Sequence, residues 1–299
     1  MLSLIVNPSS GGGRAGAALP AVQAALREHG LEHHVETTRS LDHARELARQ
    51  AMAAGEMAVA MGGDGLIGAV AGALRQTDGV LGVLPGGRGN DFARVLGIPP
   101  DPVAACSILA GGVVRNLDLG QAGTGTFIGI ASCGFDSEAN RIANETRLVR
   151  GNLVYTYGGL RTLLRWKPAH FELRLDGEPA SLTGYTVAVA NSAAYGGGMM
   201  LAPQASLEDG LLDVVLIADE PKLQFLRHLP KVFKGEHVGL PAVRILQAKE
   251  VEVRADRPFT MYADGDPIAE LPVIVKVLPR AIRVMVPDGA AHGADPLHR

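Results

Sequence analysis

Two short segments of the chain place aspartates among glycines, a pattern suited to handling phosphate. Asp64 lies in the sequence GGDG (62–65), directly after an apolar run, and Asp264 and Asp266 lie in the sequence ADGDP. Glycines after a strand let the backbone approach a ligand closely, and their N–H groups suit an anion. A carboxylate among them makes sense where a divalent cation bridges it to a phosphate. The alternatives are a tight turn with a solvated aspartate at Asp64 and a simple hairpin turn at Asp264.

Two further glycine-rich turns, at 7–16 and 85–91, also follow apolar runs. The second one offers backbone donors, the side chains of Asn90 and Asp91, and the cation Arg88. Several such turns at neighbouring strand ends indicate an extended polyphosphate ligand. The pattern excludes a Walker A loop, which needs Lys and Ser or Thr, and a dinucleotide fingerprint, which has no aspartate in the turn.

The segments around these turns alternate between strand and helix patterns. Strands are predicted at 2–6, 33–38, 57–61 and 80–84, and helices up to His29, from Ser40 to Ala54 and from about Ile67. Such alternation predicts a parallel sheet covered by helices, with ligands beyond the carboxyl ends of the strands.

After about residue 118 the pattern becomes strand-rich with alternating polarity, interrupted by helical segments near 136–166 and 221–234. We therefore predict an α/β N-terminal domain with a parallel sheet over 1–118 and a second, mainly antiparallel β-sandwich domain over 119–281. The strand-like segment 282–287 either returns to the first domain, which 282–299 would then complete, or finishes the second.

The composition limits the kinds of partner and location. Hydrophobic residues make up 47% of the 299 residues and the net charge is −3, which indicates a globular protein without a global attraction for nucleic acid. Two cysteines form no disulfide framework, which favours the cytoplasm. The apolar run 66–74 is too short to span a membrane, so we expect no transmembrane segment.

Five motifs occur in an order that resembles the diacylglycerol kinase catalytic-domain family. They are VNPSSGGGRA, GGDG, LPGGRGNDFARVLGIP, LAPQASLEDGLLDVVL and ADGDP, and together they extend from residue 2 to about 286. The family comprises soluble bacterial lipid kinases and relatives such as sphingosine and ceramide kinases. The resemblance implies a nucleotide domain like that of NAD kinase, a β-sandwich second domain, and an ATP site between them.

The resemblance also implies roles for individual residues. The nucleotide would contact Asn7, Thr38, Gly62, Gly63, Asp64, Gly65, Gly89 and Asn90. Asp266 would be the general base that takes the proton of a lipid hydroxyl, with Asp264 as its acidic neighbour and Asp64 beside Mg²⁺. The family motif is Asp-Gly-Glu, so the base here is one methylene shorter.

Four positions depart from the family pattern. Leu66, Gly68 and Ala69 stand where a threonine, an asparagine and a glutamate are usual, and Arg88 replaces another threonine. Either backbone amides hold the phosphates while Arg88 supplies charge in place of a hydroxyl, or ATP binding has been lost.

The segment SLEDGLLDV resembles the family's structural metal site. Asp209 would supply a carboxylate, and Ser206 and Leu211 would supply backbone carbonyls. Ligation by oxygen alone suits Mg²⁺ or Ca²⁺. The alternative is an ordinary loop that leads into a strand.

Two stretches, 141–167 and 221–237, mix basic with apolar residues. Such a mixture suits peripheral docking on an anionic membrane, and it equally suits amphipathic helices packed on their own domain. The sequence thus predicts an ATP-dependent lipid kinase acting at a membrane surface, with a homodimer left open. The alternatives are a kinase of a non-lipid alcohol or of NAD on the same scaffold, and a catalytically silent protein that binds lipid or nucleotide.

Overall fold

The N-terminal part of the fold is a parallel sheet covered by helices, as predicted. The computed structural model describes residues 1–145 and 153–289. The parallel strands are β1 Leu2–Val6, β2 His33–Thr37, β3 Met57–Gly62 and β4 Val80–Pro85. They lie in the order β4-β3-β1-β2. All five residues of β1 are buried, because helices cover both faces of the sheet.

The helices of this part begin where the sequence provides caps. They are α1 Ser10–Glu28, α2 Leu41–Ala53, α3 Asp64–Leu74, α4 Asp91–Val95 and α5 Pro102–Gly111. The Ser40 hydroxyl accepts a hydrogen bond from the His43 N–H at the start of α2, and this helix buries the predicted apolar face, including Leu47. Helix α3 begins at Asp64, three residues before the predicted start, because Gly63 already serves as its extended N-cap.

The second part is mainly antiparallel, also as predicted. Its strands are β5 Val113–Ala122, β6 Gly125–Phe127, β7 Ile130–Gly134, β8 Ala169–Leu175, β9 Glu178–Ala190, β10 Leu212–Ala218, β11 Val243–Ala248, β12 Glu250–Ala255, β13 Thr260–Ala263 and β14 Asp266–Glu270. Its helices are α6 Phe135–Glu145, α7 Leu153–Arg165 and α8 Lys222–Val232, followed by a 3-10 turn at Glu236–Gly239. Strand β7 pairs antiparallel with both β9 and β13, which places the β13–β14 turn beside the start of β7.

One long strand, β15 Val273–Val286, connects the two parts. Its first half pairs antiparallel with β12, and its last residues pair parallel with β4 through Arg283 and Val284. Two segments that the sequence suggested as separate strands are therefore one strand, irregular between Leu278 and Ile282 where it pairs with β5. Of the two alternatives for 282–287, the strand returns beside the parallel sheet.

The structure contains elements that the sequence patterns did not indicate. Helix α5 and strands β5, β11 and β14 are among them. Helix α5 is apolar around most of its circumference, and β14 begins inside the segment that resembled a simple turn. Short apolar or mixed runs do not distinguish helix from strand by periodicity alone, so these elements depend on their tertiary partners.

Two main hydrophobic cores underlie the two parts. The first contains the parallel strands with α1 to α3 and α5, and the second lies within the antiparallel strands, with Phe135, Trp166 and Phe225 from the helices. Cys106 and Cys133 are buried free thiols, one in each core. The prediction that the cysteines form no disulfide framework is confirmed.

Candidate functional site

The three glycine-rich turns contact one another at the carboxyl ends of β1, β3 and β4. The Gly86 N–H donates a 2.7 Å hydrogen bond to the Gly62 carbonyl. A Cβ atom added to Gly87 would lie 2.4 Å from the Gly63 Cα, and one added to Gly11 would lie 2.5 Å from the Gly86 carbonyl oxygen. Only glycine permits this approach, so the three turns form one continuous surface of backbone.

Two polar side chains hold the 86–89 turn in place. The Asn90 side chain accepts a hydrogen bond from the Gly87 N–H at 2.8 Å and donates one to the Gly87 carbonyl at 3.2 Å. The Arg14 guanidinium donates to the Gly87 carbonyl at 2.7 Å and to the Gly11 carbonyl at 3.1 Å. Asn90 was a predicted nucleotide ligand and is engaged with its own turn. Arg14 was not predicted, and its only signal was its place directly after three glycines.

The first turn of α3 points at this surface. Gly63 has an extended backbone and no side chain to cap the helix, and Asp64 is the first helical residue. The first N–H groups of a helix have no partner within the helix, which makes this end suited to an anion. Leu66 is buried next to this surface, and its Cδ2 lies 2.7 Å from the Cβ position of Gly62.

Asp64 faces the turn that follows β4. One carboxylate oxygen accepts a hydrogen bond from the Phe92 N–H at 3.2 Å. Its other oxygen lies 3.2 Å from the Cβ position of Gly89, and Asp91 Oδ2 lies 3.1 Å from the same point. Burial raises the pKa of Asp64, the Phe92 hydrogen bond opposes this, and the charge of Asp91 adds to it. A cation or proton between these two carboxylates would therefore be favoured.

Asp91 connects the first part of the fold to a loop of the second. The side chain is buried, with one oxygen paired to Arg94 and the other accepting a 2.7 Å hydrogen bond from the Gly197 N–H. The sequence indicates Asp91 as one of the polar groups of its turn and assigns it no specific role. The signal that could have identified it was its place beside Asn90, directly after the glycines.

Asp264 is held in place by two backbone N–H groups. It has a left-handed backbone (φ +52°), and its two oxygens each accept a 2.9 Å hydrogen bond, one from the Ile128 N–H and one from the Gly129 N–H. Burial is the main reason that its pKa is raised to about 7; the hydrogen bonds lower it and the charge of Asp64 raises it. One oxygen lies 3.5 Å from the Cβ position of Gly68, so Asp264 faces helix α3.

Asp266 is more exposed and also faces α3. One of its oxygens lies 3.6 Å from the Cβ position of Gly65. Partial burial raises the pKa of the Asp266 carboxyl, and the positive charge of Arg45 on α2 opposes that rise. The structure thus brings Asp64, Asp264 and Asp266 together around the start of α3. Arg45, which the sequence did not single out, contributes positive charge to the same region.

Three other predicted nucleotide residues are Asn7, Thr38 and Arg88. The Asn7 side chain accepts a hydrogen bond from the Ser9 N–H at 3.1 Å, which fixes the turn after β1. The Thr38 hydroxyl donates to the Ser40 carbonyl at 2.7 Å, and no contact of this hydroxyl with the glycine turns is found among the described residues. Arg88 is exposed, and within residues 1–145 and 153–289 it forms no hydrogen bond or ion pair.

The predicted structural metal residues lie in a loop before β10. The Asp209 carboxylate accepts a hydrogen bond from the Leu211 N–H at 3.0 Å, and the Ser206 hydroxyl accepts one from the Glu208 N–H at 3.2 Å. Asp118, which was not predicted, accepts hydrogen bonds from the Gly210 and Arg280 N–H groups. Burial raises the pKa of Asp118, the Arg280 and Gly210 hydrogen bonds lower it, and the charge of Asp209 raises it, so the two carboxylates lie close enough to interact.

No cluster of three His, Cys, Asp or Glu side chains arranged to hold a metal occurs in the described part of the chain. Any Mg²⁺ at the Asp64 site would therefore share its coordination with ligand oxygens and water, as this ion commonly does. In the same residues, no helix has the length and apolar character to cross a bilayer.

Family models match both parts of the fold. Residues 1–122 match the diacylglycerol kinase catalytic domain, and residues 129–286 match the YegS C-terminal NAD kinase beta sandwich-like domain. The two matches cover the glycine turns and the Asp264–Asp266 segment, respectively.

Curated relatives and a solved structure agree with these matches. A diacylglycerol kinase of Mycobacterium tuberculosis is 36% identical over 294 residues, covering 96% of this chain and 95% of the relative. A diacylglycerol kinase of Bacillus subtilis is 30% identical over 299 residues, covering 98% of each. A crystal structure of a diacylglycerol kinase from Bacillus anthracis shares the fold with a TM-score of 0.75 at 19% identity, covering 97% of this chain and 98% of that one. The chain therefore belongs to the diacylglycerol kinase catalytic-domain family, with the YegS-type β-sandwich as its second part.

Proposed function

We propose that this protein transfers the γ-phosphoryl group of ATP to the hydroxyl of a diacylglycerol-like lipid, with Mg²⁺. The observation that carries the proposal is the meeting of three bare glycine turns with Asp64, Asp264 and Asp266 at the start of α3. Backbone donors beside carboxylates are the two features that phosphoryl transfer needs, because charge must be neutralised and a hydroxyl must lose its proton.

The residues present fit a nucleotide and Mg²⁺. A Cβ atom at Gly87 would push against the backbone of Gly63, so the two turns lie side by side, with backbone groups of both available to a ligand, only because side chains are missing. Asp64, with one oxygen directed toward Asp91, would hold the cation against the phosphates. Mg²⁺ supplies neutralisation of the charge that develops on the phosphate oxygens.

We assign the general-base role to Asp266. Asp266 is more exposed than Asp264, and within the described residues its carboxyl accepts no backbone hydrogen bond that would stabilise the ionised form. Partial burial raises its pKa. A carboxylate of raised pKa accepts a proton more readily, which favours base catalysis near neutral pH. Asp264, fixed by two N–H groups, would position the turn that carries Asp266.

The unusual residues at 66, 68 and 88 are compatible with nucleotide binding. Leu66 is buried and offers no hydroxyl, so phosphates would be held by backbone donors of the glycine turns. Arg88 is exposed on the neighbouring turn and would add a charged contact. We further propose that Asp209, with carbonyls of Ser206 and Leu211, binds a structural Mg²⁺ or Ca²⁺, which the nearby Asp118 charge would favour.

The test is phosphorylation measured with radiolabelled ATP, with and without Mg²⁺, against diacylglycerol, ceramide, sphingosine and NAD. We expect transfer to diacylglycerol that needs Mg²⁺ and is abolished by Asp64→Asn. Transfer to NAD or to a water-soluble alcohol alone would instead favour the non-lipid kinase. Nucleotide binding by calorimetry without any transfer would favour the silent homologue, and the absence of nucleotide binding would refute the proposal.

A further inference from the structure

Helix α8 carries apolar residues on two opposite faces, and only one of them is needed for folding. Phe225 and Val232 are buried, and the Phe225 ring stacks on Tyr185 with 4.1 Å between centroids. Leu223 and Leu226 lie on the outward side, where Leu223 is 62% exposed. Helical geometry places residues three apart on one face, so the outward leucines form a partly exposed apolar stripe.

The end of α7 extends this stripe into a larger surface. The Lys222 ammonium donates a 3.0 Å hydrogen bond to the Leu164 carbonyl, which places the start of α8 against the end of α7. Leu164 is 80% exposed, and Phe233, just after α8, is 54% exposed. We call the exposed apolar residues of the two helices the α7–α8 surface: Leu160, Leu164, Leu223, Leu226, Leu229 and Phe233. Exposed apolar residues gathered in one place mark an interaction site more often than scattered ones do.

The charged residues within the two segments that carry this surface are all basic, and the acidic residues Asp219, Glu220 and Glu236 border the second segment. The segments 158–168 and 221–235 contain seven basic residues and no acidic one, although the whole chain has 31 acidic residues and a net charge of −3. The seven are Arg161, Arg165, Lys167, Lys222, Arg227, Lys231 and Lys234. Of the basic residues noted in the sequence between 141 and 167, Arg147 and Arg150 lie outside the described residues.

We propose that the α7–α8 surface docks on the anionic face of a lipid bilayer. Apolar side chains would enter the region between headgroups and acyl chains, while the surrounding lysines and arginines would contact lipid phosphates. A second copy of the chain is a poorer occupant, because it would bring its own seven basic residues against those of the first. The proposal rests on the proposed function, since a kinase of membrane lipids must reach its substrate at a bilayer.

The docking surface lies away from the carboxylates that would perform the reaction. Strand β7 begins one residue after Gly129, which binds Asp264, and is followed by Phe135, whose ring contacts Phe225 with 5.0 Å between centroids. Five strand residues span roughly 17 Å. Changes on the α7–α8 surface should therefore alter membrane binding and leave the chemical step on a dissolved substrate unchanged.

The experiment measures binding of the full chain to vesicles of phosphatidylcholine, with and without phosphatidylglycerol, at low and high salt. We expect binding that needs the anionic lipid and weakens with salt. Leu223→Ser combined with Phe233→Ser should lower the vesicle partition coefficient by about tenfold or more. The matched control is Ile274→Ser on β15, which removes a 44% exposed aliphatic residue outside the surface and should change nothing.

Two double variants, each of which removes two positive charges, measure the electrostatic contribution to vesicle binding. Arg227→Gln with Lys231→Gln should weaken binding to anionic vesicles by about fivefold per charge, with no effect on pure phosphatidylcholine. Arg75→Gln with Arg174→Gln removes two exposed charges elsewhere and serves as the control. Equal losses in both double variants would overturn the proposal, because only net charge would then matter.

Activity on a short-chain, water-soluble diacylglycerol separates docking from catalysis. Unchanged activity there, with lost vesicle binding in the Leu223 and Phe233 variant, supports the proposal. The proposal is overturned if that variant binds vesicles as well as the parent does, or if the parent binds no vesicles. It is also overturned if the substitutions convert a dimeric parent to a monomer and neither form binds vesicles. Retained docking with no phosphorylation of any lipid would refute the proposed function alone.

Discussion

Replacing Gly87 by alanine tests whether the contacting turns are the nucleotide surface. The added Cβ would lie 2.4 Å from the Gly63 Cα and 2.9 Å from Asn90 Oδ1. An ordinary contact needs at least 3.4 Å, so the two turns must separate by about 1 Å. The backbone of Gly87 is not in the left-handed region, so alanine adds bulk there without adding backbone strain.

Because the clash is with backbone rather than with a flexible side chain, the turns themselves must move. A misplacement of about 1 Å at a reacting site costs on the order of 100-fold in rate. We therefore expect kcat/KM for ATP to fall by about 100-fold in Gly87→Ala, with a loss of stability of about 1–3 kcal/mol from overpacking. Steady-state kinetics, ATP calorimetry and urea unfolding measure the three quantities.

The matched control is Gly111→Ala at the end of α5. A Cβ atom there meets nothing within 4 Å, so the change should leave kinetics unaltered and stabilise the helix by up to about 1 kcal/mol. If Gly87→Ala keeps the ATP affinity and kcat/KM of the parent while remaining folded, the turns do not form the nucleotide surface and the reasoning fails.

Four further predictions concern individual side chains. Asp266→Asn should fold, bind ATP and lose at least about 100-fold in kcat; near-normal turnover would show that Asp266 is not the base. Asp209→Ala should lower the melting temperature in the presence of Mg²⁺ or Ca²⁺ but not after chelation, and identical melting in both conditions would remove the structural metal. Arg88→Ala should weaken ATP binding by about 10- to 100-fold. Leu66→Thr should change ATP affinity by less than about tenfold and instead destabilise the fold by about 2 kcal/mol. Calorimetry measures the ATP affinities, and thermal unfolding measures the stabilities. Asp264 keeps its proton up to about pH 7 in the folded protein but only up to about pH 4 in the unfolded chain, so unfolding between these pH values releases a proton. The free energy of unfolding should therefore fall by up to about 1.4 kcal/mol per pH unit as the pH rises through this range. Urea titrations that show no such slope would contradict this prediction.

The sequence alone determined the local features around the site. Parallel strands that are buried on both faces have continuous apolar sequences, and glycine-rich turns follow them here. The local sequence pattern was therefore enough to predict β1, β3 and β4 together with their turns. The family resemblance rested on these same turns and on the segment around Asp264. Strand β8 alternates in polarity and buries every second residue, and this kind of pattern predicted the antiparallel character of the second part.

Tertiary structure decided which side chains meet across long stretches of chain. Asp264 is held by Gly129, 135 residues away, and Arg14 binds Gly87, 73 residues away. No local periodicity encodes such pairs, because they depend on β13 pairing with β7 and on the turn after β1 lying against the turn after β4. The burial of Leu66 belongs to the same class: the sequence shows that a leucine stands where the family usually has a threonine, and only the tertiary structure shows that this leucine is buried against Gly62.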